Sequence, residues 1–284
     1  MKAPKSPERY SIEFGTLLDC VVSTMFRSLY VAATGMVAQE TKLDTISNNL
    51  ANANTAGFKR QQAEFEDLVY QNIRTPGRIA NGTSGPAGVQ VGLGSRVVST
   101  SRQFSQGSIQ QTDNPLDIAI EGRGFMPVLK PDGDVVYTRA GNLRMDAQGQ
   151  LVTAQGLPTE PPINIPQDAI SVTIGPDGTV TAALPGQTQP TQLGQLQLAT
   201  FPNPSGLQAL GHNLYSASGS SGEPTLGSPG DRGRGTILQG AVEASNVEVV
   251  EEMIGMIRTQ RAYEINSRVI QAADEMLRKA TSMQ

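Results

Sequence analysis

Five carboxylates lie close together in the chain and are the first candidates for catalysis. They are Asp113, Asp117, Glu121, Asp132 and Asp134. Two carboxylates held a few ångströms apart can hydrolyse a glycosidic bond. However, Asp132 and Asp134 flank a glycine, and Asp113 begins an Asp-Asn-Pro sequence; both patterns are typical of turns. We therefore predict no catalytic residue, and a periplasmic glycan-active or glycan-binding β protein remains the alternative from another functional class.

Metal and thiol chemistry have too few candidate residues. The chain has one cysteine, Cys20, and one histidine, His212, which follows a glycine in a loop-like sequence. A zinc cage needs four soft ligands and a thiol nucleophile needs a base beside it. Gly122-Arg123-Gly124 lacks the Gly-Lys-Ser/Thr ending of a phosphate loop. The sequence thus predicts no metal and no cofactor.

The composition favours short strands and turns in the middle of the chain. The 284 residues include 30 Gly and 18 Pro, with 5% aromatic residues and no Trp. The net charge is −4 with the basic residues scattered, which indicates no nucleic-acid partner. No apolar run is long enough to span a bilayer. Glu13 and Asp19 interrupt the only apolar stretch near the start, so we predict no secretory signal.

Each end of the chain has a helical pattern. From Met25, apolar residues recur at three- and four-residue steps, which predicts an amphipathic helix ending between Leu50 and Asn54. The second helix is expected to start after Ser245 or Asn246 as N-cap and to reach about Thr281. The apolar residues expected to pack these helices together and against other subunits are Leu29, Ala33, Met36, Leu43, Ile46, Leu50, Val250, Ile254, Ile257, Ile265, Val269 and Met276.

The residues between the helices alternate or are β-branched and are interrupted by turns such as Asp132-Gly133 and Asp177-Gly178. The predicted fold class is therefore α+β, with the terminal helices forming a coiled-coil-like inner domain and an irregular antiparallel β-rich domain between them. A helix pair leaves apolar rows uncovered, which favours association with other subunits. The alternative is that both helices pack on the β body.

Three parts of the sequence resemble one family. Residues 29–36 with 46–60 and residues 243–247 with 256–264 closely resemble the terminal signatures of the flagellar rod and hook proteins, and residues 120–125 with 137–141 resemble the shared β domain of that family. The resemblance covers the chain from Met25 to the end. The signature residues are Asn48, Asn49, Leu50, Ala51, Asn52, Gly57, Phe58, Gln260, Arg261, Ala262 and Tyr263.

Residues 65–77 are similar to the segment that marks the distal rod member of the family, and a hook-like relative is the alternative. By this resemblance the segment 70–87 locks the rod straight through additional contacts between subunits. The residues concerned are Tyr70, Arg74, Pro76 and Gly77. Because Pro and Gly forbid a long helix there, we expect the segment to be disordered or extended in a monomer.

The resemblance also implies a domain plan. It consists of an extension at 1–24 that is foreign to the family, an N-terminal helix at 25–60, an extended linker at 61–94, a β-rich outer domain at 95–240 and a C-terminal helix at 241–284. We expect the extension to derive from a misassigned start codon.

The implied function is that of a structural subunit of the straight, rigid distal rod, which transmits motor torque to the hook and encloses the export channel. The implied partners are copies of the chain, proximal rod proteins, hook protein, the P- and L-rings, the rod cap and the flagellar type III export apparatus. The implied location is the part of the flagellar basal body that crosses the periplasm.

Overall fold

The computed structural model describes residues 8–74, 88–187 and 189–282, and of residues 8–25, 74 and 280 it describes the backbone alone. Two long helices lie before and after a β-rich middle in the chain order, so the α+β class is confirmed. Across the described ranges, neither helix combines the length and apolar character that a membrane crossing needs.

The helices are α1 (Glu8–Ala51) and α2 (Val249–Ser282). The predicted end of α1 is confirmed, but its predicted start near Met25 was too late, because residues 8–24 contain one glycine and no proline that would interrupt the helix. The start of α2 lies three residues beyond Asn246, whose side chain bonds to other segments instead of capping the helix.

Short strands make up most of the chain between the helices. In chain order they are β1 (Gln61–Asp67), β2 (Tyr70–Arg74), β3 (Val89–Gly92), β4 (Ser95–Arg102), β5 (Ile109–Gln111), β6 (Ile118–Glu121), β7 (Met126–Leu129), β8 (Val135–Thr138), β9 (Arg144–Met145), β10 (Leu151–Val152), β11 (Ser171–Ile174), β12 (Thr179–Ala183), β13 (Thr191–Gln195), β14 (Leu198–Thr200), β15 (Gln208–Gly211), β16 (Leu214–Ser216), β17 (Thr225–Gly227), β18 (Thr236–Gln239) and β19 (Ala241–Glu243).

The chain forms two compact units, and the first consists of the described parts of 1–47, 62–101 and 250–284. In it β1 pairs with β4, and β2 pairs antiparallel with β3. The N–H of Leu68 donates to the carbonyl of Gly94 (2.9 Å) between these two pairs. The four strands therefore form a ribbon in which β1 and β2 run along one side and β4 and β3 along the other. We call strands β1–β4 the arm. The sequence predicted an extended linker at 61–94 and the start of the outer domain at 95.

The arm contacts α1 within this unit. Gly94 has a φ of +109°, and a Cβ on it would lie 2.1 Å from Oγ1 of Thr34. The guanidinium of Arg27 donates to Oε1 of Gln71 (3.1 Å). Only glycine fits at position 94, because any side chain there would collide with the helix.

Polar side-chain bonds join β1 and β4 of the arm at its surface. The carboxylate of Glu64 accepts hydrogen bonds from the hydroxyls of Ser99 (2.8 Å) and Ser101 (2.6 Å). These bonds lower the pKa of Glu64 because they favour its charged form. Arg96 pairs with Glu66 nearby, and both side chains are exposed to water.

The second unit comprises residues 48–61 and 102–249. Its largest sheet has the strand order β15-β16-β8-β7, and a three-stranded sheet has the order β11-β12-β13. Two-stranded antiparallel pairs complete it: β5 with β19, β6 with β18, β9 with β10, and β14 with β17. The pairs β5–β19 and β6–β18 join segments from the beginning and the end of the unit.

Two apolar clusters fill the second unit. The larger one contains aliphatic side chains from most of its strands, among them Ile118, Val128, Leu151, Val180 and Leu198. The smaller one is aromatic, and its rings meet edge to face, as for Phe104 with Phe125 (5.3 Å between centroids). Edge-to-face contacts suit the quadrupoles of aromatic rings.

Candidate functional site: the signature cluster and the helix faces

A buried group of charges lies in the second unit and joins three distant segments. One carboxylate oxygen of Glu243 accepts hydrogen bonds from Nζ of Lys59 (2.6 Å) and from the N–H of Gly107 (2.9 Å). The other oxygen accepts from Nε of Arg139 (2.8 Å). Nζ of Lys59 also donates to the carbonyl of Ser105 (2.7 Å). We call Lys59, Arg139 and Glu243 the signature cluster.

Water is excluded from the signature cluster. The side chains of Lys59 and Glu243 are 0% exposed and that of Arg139 is 3% exposed. Burial, together with the charge of Arg139, lowers the pKa of Lys59, while the carboxylate of Glu243 opposes this shift. The cluster carries two cations and one anion, so its remaining N–H groups need neutral acceptors. Arg139 accordingly donates to the carbonyls of Ile120 (3.2 Å) and Gly122 (2.9 Å).

Two asparagines fix the chain on either side of the signature cluster. Asn49 at the end of α1 accepts from the N–H of Gln61 (2.9 Å) and donates to its carbonyl (2.8 Å). Asn246 accepts from the N–H of Arg60 (2.7 Å) and donates to the carbonyl of Gln103 (2.8 Å). These amides serve the backbone in the way a neighbouring strand would, and they hold segments that are far apart in sequence.

Gly57 brings the chain close to the β strands at this point. Its φ is +71°, and a Cβ on it would lie 2.7 Å from the backbone nitrogen of Ala140. Its N–H donates to the carbonyl of Glu243 (2.8 Å). The amide of Asn213 donates to the carbonyl of Ala56 (2.9 Å) next to it. The predicted signature residue Gly57 is therefore required for close packing.

The other predicted signature residues are placed as follows. Asn49 and Phe58 are buried, and the guanidinium of Arg102 lies 5.8 Å from the ring of Phe58. Leu50, Asn52 and Ala262 are half-buried, and Asn48, Ala51, Gln260, Arg261 and Tyr263 are exposed. Sequence reasoning missed the role of Lys59, Arg139, Glu243 and Asn246. The available signal was that each stands inside a stretch recognised as shared with the family.

In the first unit the two helices pack antiparallel. A Cβ on Gly35 would lie 2.9 Å from Nδ2 of Asn266, and one on Gly255 would lie 3.4 Å from Cδ1 of Ile46. Position numbers thus rise along α1 as they fall along α2. Helix residues of the first unit that are buried are Ala32, Ala38, Thr45, Ile46, Glu252, Thr259 and Ala273. Most of them are small or polar, so little apolar surface holds the pair together.

The helix glycines allow a test of this close packing. Replacing Gly255 by alanine is expected to raise the free energy of unfolding by about 0.5–1 kcal/mol, because alanine favours the helix and the space beside Ile46 admits a methyl group. Gly35→Ala is the control and should stabilise less, because its Cβ would displace Asn266. Urea denaturation followed by circular dichroism measures both. Equal gains would show that packing at Gly35 is loose.

The residues predicted to pack the helices occupy different faces. Ile46 is buried, Leu29, Met36, Leu43 and Leu50 are half-buried, and Ala33 is exposed. All six predicted residues of α2 are exposed: Val250 64%, Ile254 45%, Ile257 56%, Ile265 60%, Val269 41% and Met276 48%. The pair forms through the small and polar face of α2, so its apolar rows point away from α1. We call these six residues the apolar face of α2.

A groove lies beside the helix contact and has a volume of about 380 Å³. Leu43 of α1 and Thr259, Gln260 and Tyr263 of α2 line it. Tyr263 is 47% exposed. The signature residues Gln260 and Tyr263 therefore border an open groove and are not part of the buried signature cluster.

Asp117, Asp132 and His212, which were considered for catalysis or metal binding, lie in or next to turns. Asp117 accepts hydrogen bonds from Thr112 (2.8 Å) and Asn114 (2.8 Å), as a turn aspartate does. Asp132 is exposed at a hairpin turn. His212 has a φ of +54° between β15 and β16 and forms their tight turn. Across the described ranges, no group of three His, Cys, Asp or Glu side chains is placed to hold a metal ion.

The second unit is held by a buried ion-paired cluster, and the helices of the first unit expose apolar faces of the kind that marks an interaction site. Three family models match the chain: the flagellar basal body rod protein at residues 29–59, the FlgE/F/G D1 domain of flagellar hook proteins at 119–182, and the C-terminal part of FlgEFG rod proteins at 238–283. Each matched region supplies one member of the signature cluster.

Curated relatives cover nearly the whole chain. The flagellar basal-body rod protein FlgG of Buchnera aphidicola subsp. Schizaphis graminum is 49% identical over 260 residues, which are 91% of this chain and 100% of that protein. FlgG of Caulobacter vibrioides is 50% identical over 258 residues (90% and 98%), and FlgG of Bacillus subtilis is 39% identical over 265 residues (91% and 99%).

The chain belongs to the flagellar rod and hook protein family. It is a structural rod protein of the flagellar basal body and not an enzyme, which confirms the resemblance of its signatures and the class of function predicted from them.

Proposed function

We propose that the chain polymerises into the straight distal rod, in which α1 and α2 of many copies form an inner tube around the export channel and transmit torque to the hook. The observation that carries the proposal is the apolar face of α2. Its six side chains are 41–64% exposed although they recur at helical spacing along most of α2. Contiguous apolar surface of this kind marks an interaction site.

A second copy is the best occupant for this face. Helices with apolar residues at three- and four-residue steps interlock with similar helices, and α1 also exposes Phe26 (61%), Tyr30 (54%) and Val37 (62%). Full burial of one such side chain contributes about 1.5–3 kcal/mol. Two uncovered helices in each copy give every subunit neighbours on several sides, as a tube requires.

The arm is the proposed straightening element. Tyr70 and Arg74 belong to β2, while Pro76, Gly77 and the rest of 75–87 lie outside the described residues. The arm is extended, and it exposes Val69 (78%), Tyr70 (51%), Ile73 (57%) and Val98 (55%). An exposed apolar ribbon beside the helices is suited to contact neighbouring copies and resist bending.

The finer assignments of location and partners also belong to this proposal. The chain would reach the rod through the flagellar type III apparatus, assemble under the rod cap, and contact proximal rod proteins, hook protein and the P- and L-rings. Residues 1–24 would then lie outside the shared plan. A relative that matches this chain over its own full length, but over 260 residues of this chain, supports the proposal for residues 1–24.

Polar substitutions on the apolar face of α2 test the proposal. The double variant Ile254→Ser, Ile257→Ser is expected to raise the concentration needed for assembly roughly 100-fold or more, because two side chains lose about 1.5–3 kcal/mol of burial each at every contact. Sedimentation and negative-stain electron microscopy of the full chain measure assembly. The monomer should keep its stability, since both side chains are exposed in it.

Ile170→Ser is the matched control. Ile170 is 73% exposed and belongs to the second unit, so the same chemical change is made in a residue outside both helices. This variant should assemble like the unchanged chain. Straight tubes from the double variant at unchanged concentration would contradict a helix-driven rod.

A further inference from the structure

A pocket of about 540 Å³ in the second unit has no role in the function described so far. The half-buried Phe104 lines it, together with Phe125 and Phe201, which are only 3% and 8% exposed. Pro202 and Pro204 line it as well. The accessible apolar lining is therefore Phe104 with the two prolines, which suits a small apolar group such as another proline ring.

The pocket is also positively charged. Arg123, Arg139 and Arg232 line it, and no acidic residue does. Arg139 is paired with Glu243, which it shares with Lys59. Across the described parts of the chain, the guanidinium of Arg123 has no hydrogen bond or ion pair, and that of Arg232 has only a loose contact with Asp231 (3.9 Å). Two cations beside aromatic rings favour a ligand with a carboxylate next to its apolar group.

The backbone holds Arg232 in an uncommon conformation. Its φ is +48°, in the left-handed region where residues other than Gly, Asn and Asp are rare. The side chain of Arg232 is 85% exposed. Residues held in sparsely populated backbone conformations are concentrated at binding sites.

The turn between β7 and β8 carries the complementary groups. Pro131, Asp132, Gly133 and Asp134 are all exposed there, and a Cβ on Gly133 would meet nothing within 4 Å. Asp132 has a single exposed ion pair, with Lys130 (3.4 Å). The turn, here called the acidic tip, thus presents a proline and two carboxylates to solvent.

Pocket and acidic tip lie at opposite ends of the same hairpin. Phe125 precedes β7 and lines the pocket, whereas the tip follows β7. Seven residues of extended chain from Phe125 to Asp132 span roughly 20 Å. The acidic tip therefore cannot enter the pocket of its own chain.

We propose that the acidic tip of one copy binds in the pocket of the next, with Pro131 against Phe104, Pro202 and Pro204, and with Asp132 and Asp134 beside Arg123 and Arg232. Such a contact joins two different surfaces, and a contact of this type repeats without closing and builds a helical array. The inference rests on the proposed self-assembly and adds a second contact, made by the β domains.

Charge reversal provides the test. The full-chain variants Asp132→Lys, Asp134→Lys and Arg123→Glu, Arg232→Glu should each self-associate on the order of tenfold more weakly, measured by sedimentation. An equimolar mixture of the two should regain the association, because each tip then meets a pocket of opposite charge. Arg144→Gln, an exposed arginine outside the pocket, is the control and should have no effect. A mixture as weak as its components would overturn the proposal.

Disulfide trapping separates this contact from the helix contacts. In a Cys20→Ser, Ile254→Ser, Ile257→Ser background, Asp134→Cys protein is mixed with Arg232→Cys protein under oxidising conditions. We expect the mixed disulfide several-fold above that formed with Gln148→Cys, which is placed on another exposed turn. Equal yields would overturn the inference while leaving the helix proposal untouched. The inference would also be overturned if the charge-reversal variants lost binding to a different rod protein while their self-association stayed unchanged.

Discussion

Replacing Glu243 by alanine is expected to lower the free energy of unfolding by about 3–5 kcal/mol. The substitution leaves Lys59 and Arg139 as two buried cations without a counter-charge, and it also frees the N–H of Gly107. Urea denaturation of the full chain, followed by circular dichroism, measures the change. Hydrogen exchange should show lost protection in β6 and β19, whose segments the cluster joins.

Glu66→Ala is the control for this prediction. Glu66 also pairs with an arginine, Arg96, but both side chains are exposed. Solvent screens such a pair, so its loss should cost about 1 kcal/mol or less. If Glu243→Ala were as mild as Glu66→Ala, the signature cluster would not be a stabilising element, and its match to the family signatures would need another explanation.

Gly57→Ala is expected to destabilise the second unit by about 2–5 kcal/mol. The left-handed backbone at φ +71° costs alanine about 1–2 kcal/mol. The overlap with the backbone of Ala140, at 2.7 Å, adds about 1–3 kcal/mol because neither segment can move freely. The same denaturation experiment measures this loss.

Gly133→Ala separates the two contributions. Gly133 also has a positive φ, +90°, but a Cβ on it meets nothing within 4 Å. Alanine at position 133 should lower the free energy of unfolding only by the cost of the left-handed backbone conformation, about 1–2 kcal/mol. Equal effects at the two positions would mean that the close approach between Gly57 and Ala140 relaxes without penalty.

The helices and the class of fold could be predicted because their information is local. Helical periodicity and the turn residues around Asn52 placed the end of α1 correctly. The same periodicity did not tell which face of α2 contacts α1. The face toward α1 carries Gly255, Thr259 and Ala273, and small residues give a weak signal even though they allow the closest approach.

The arm and the signature cluster could not be predicted, because both depend on pairing between distant segments. Residues 61–74 have the pattern of a linker in the sequence, and they form strands by pairing with residues 89–102. Lys59 and Glu243 are 184 positions apart, and no window of sequence relates them. The resemblance identified the stretches that contain them, but it could not tell which side chains bond to each other.

The separation between Lys59 and Glu243 also has a kinetic consequence. A chain that emerges gradually from one end cannot form this pair until Lys59 and Glu243 have both emerged, because they are 184 positions apart. Contacts of such long range require costly loop closure and slow folding. A subunit exported as proposed above would therefore keep its second unit open until nearly the whole chain has emerged, and would complete it at the site of assembly.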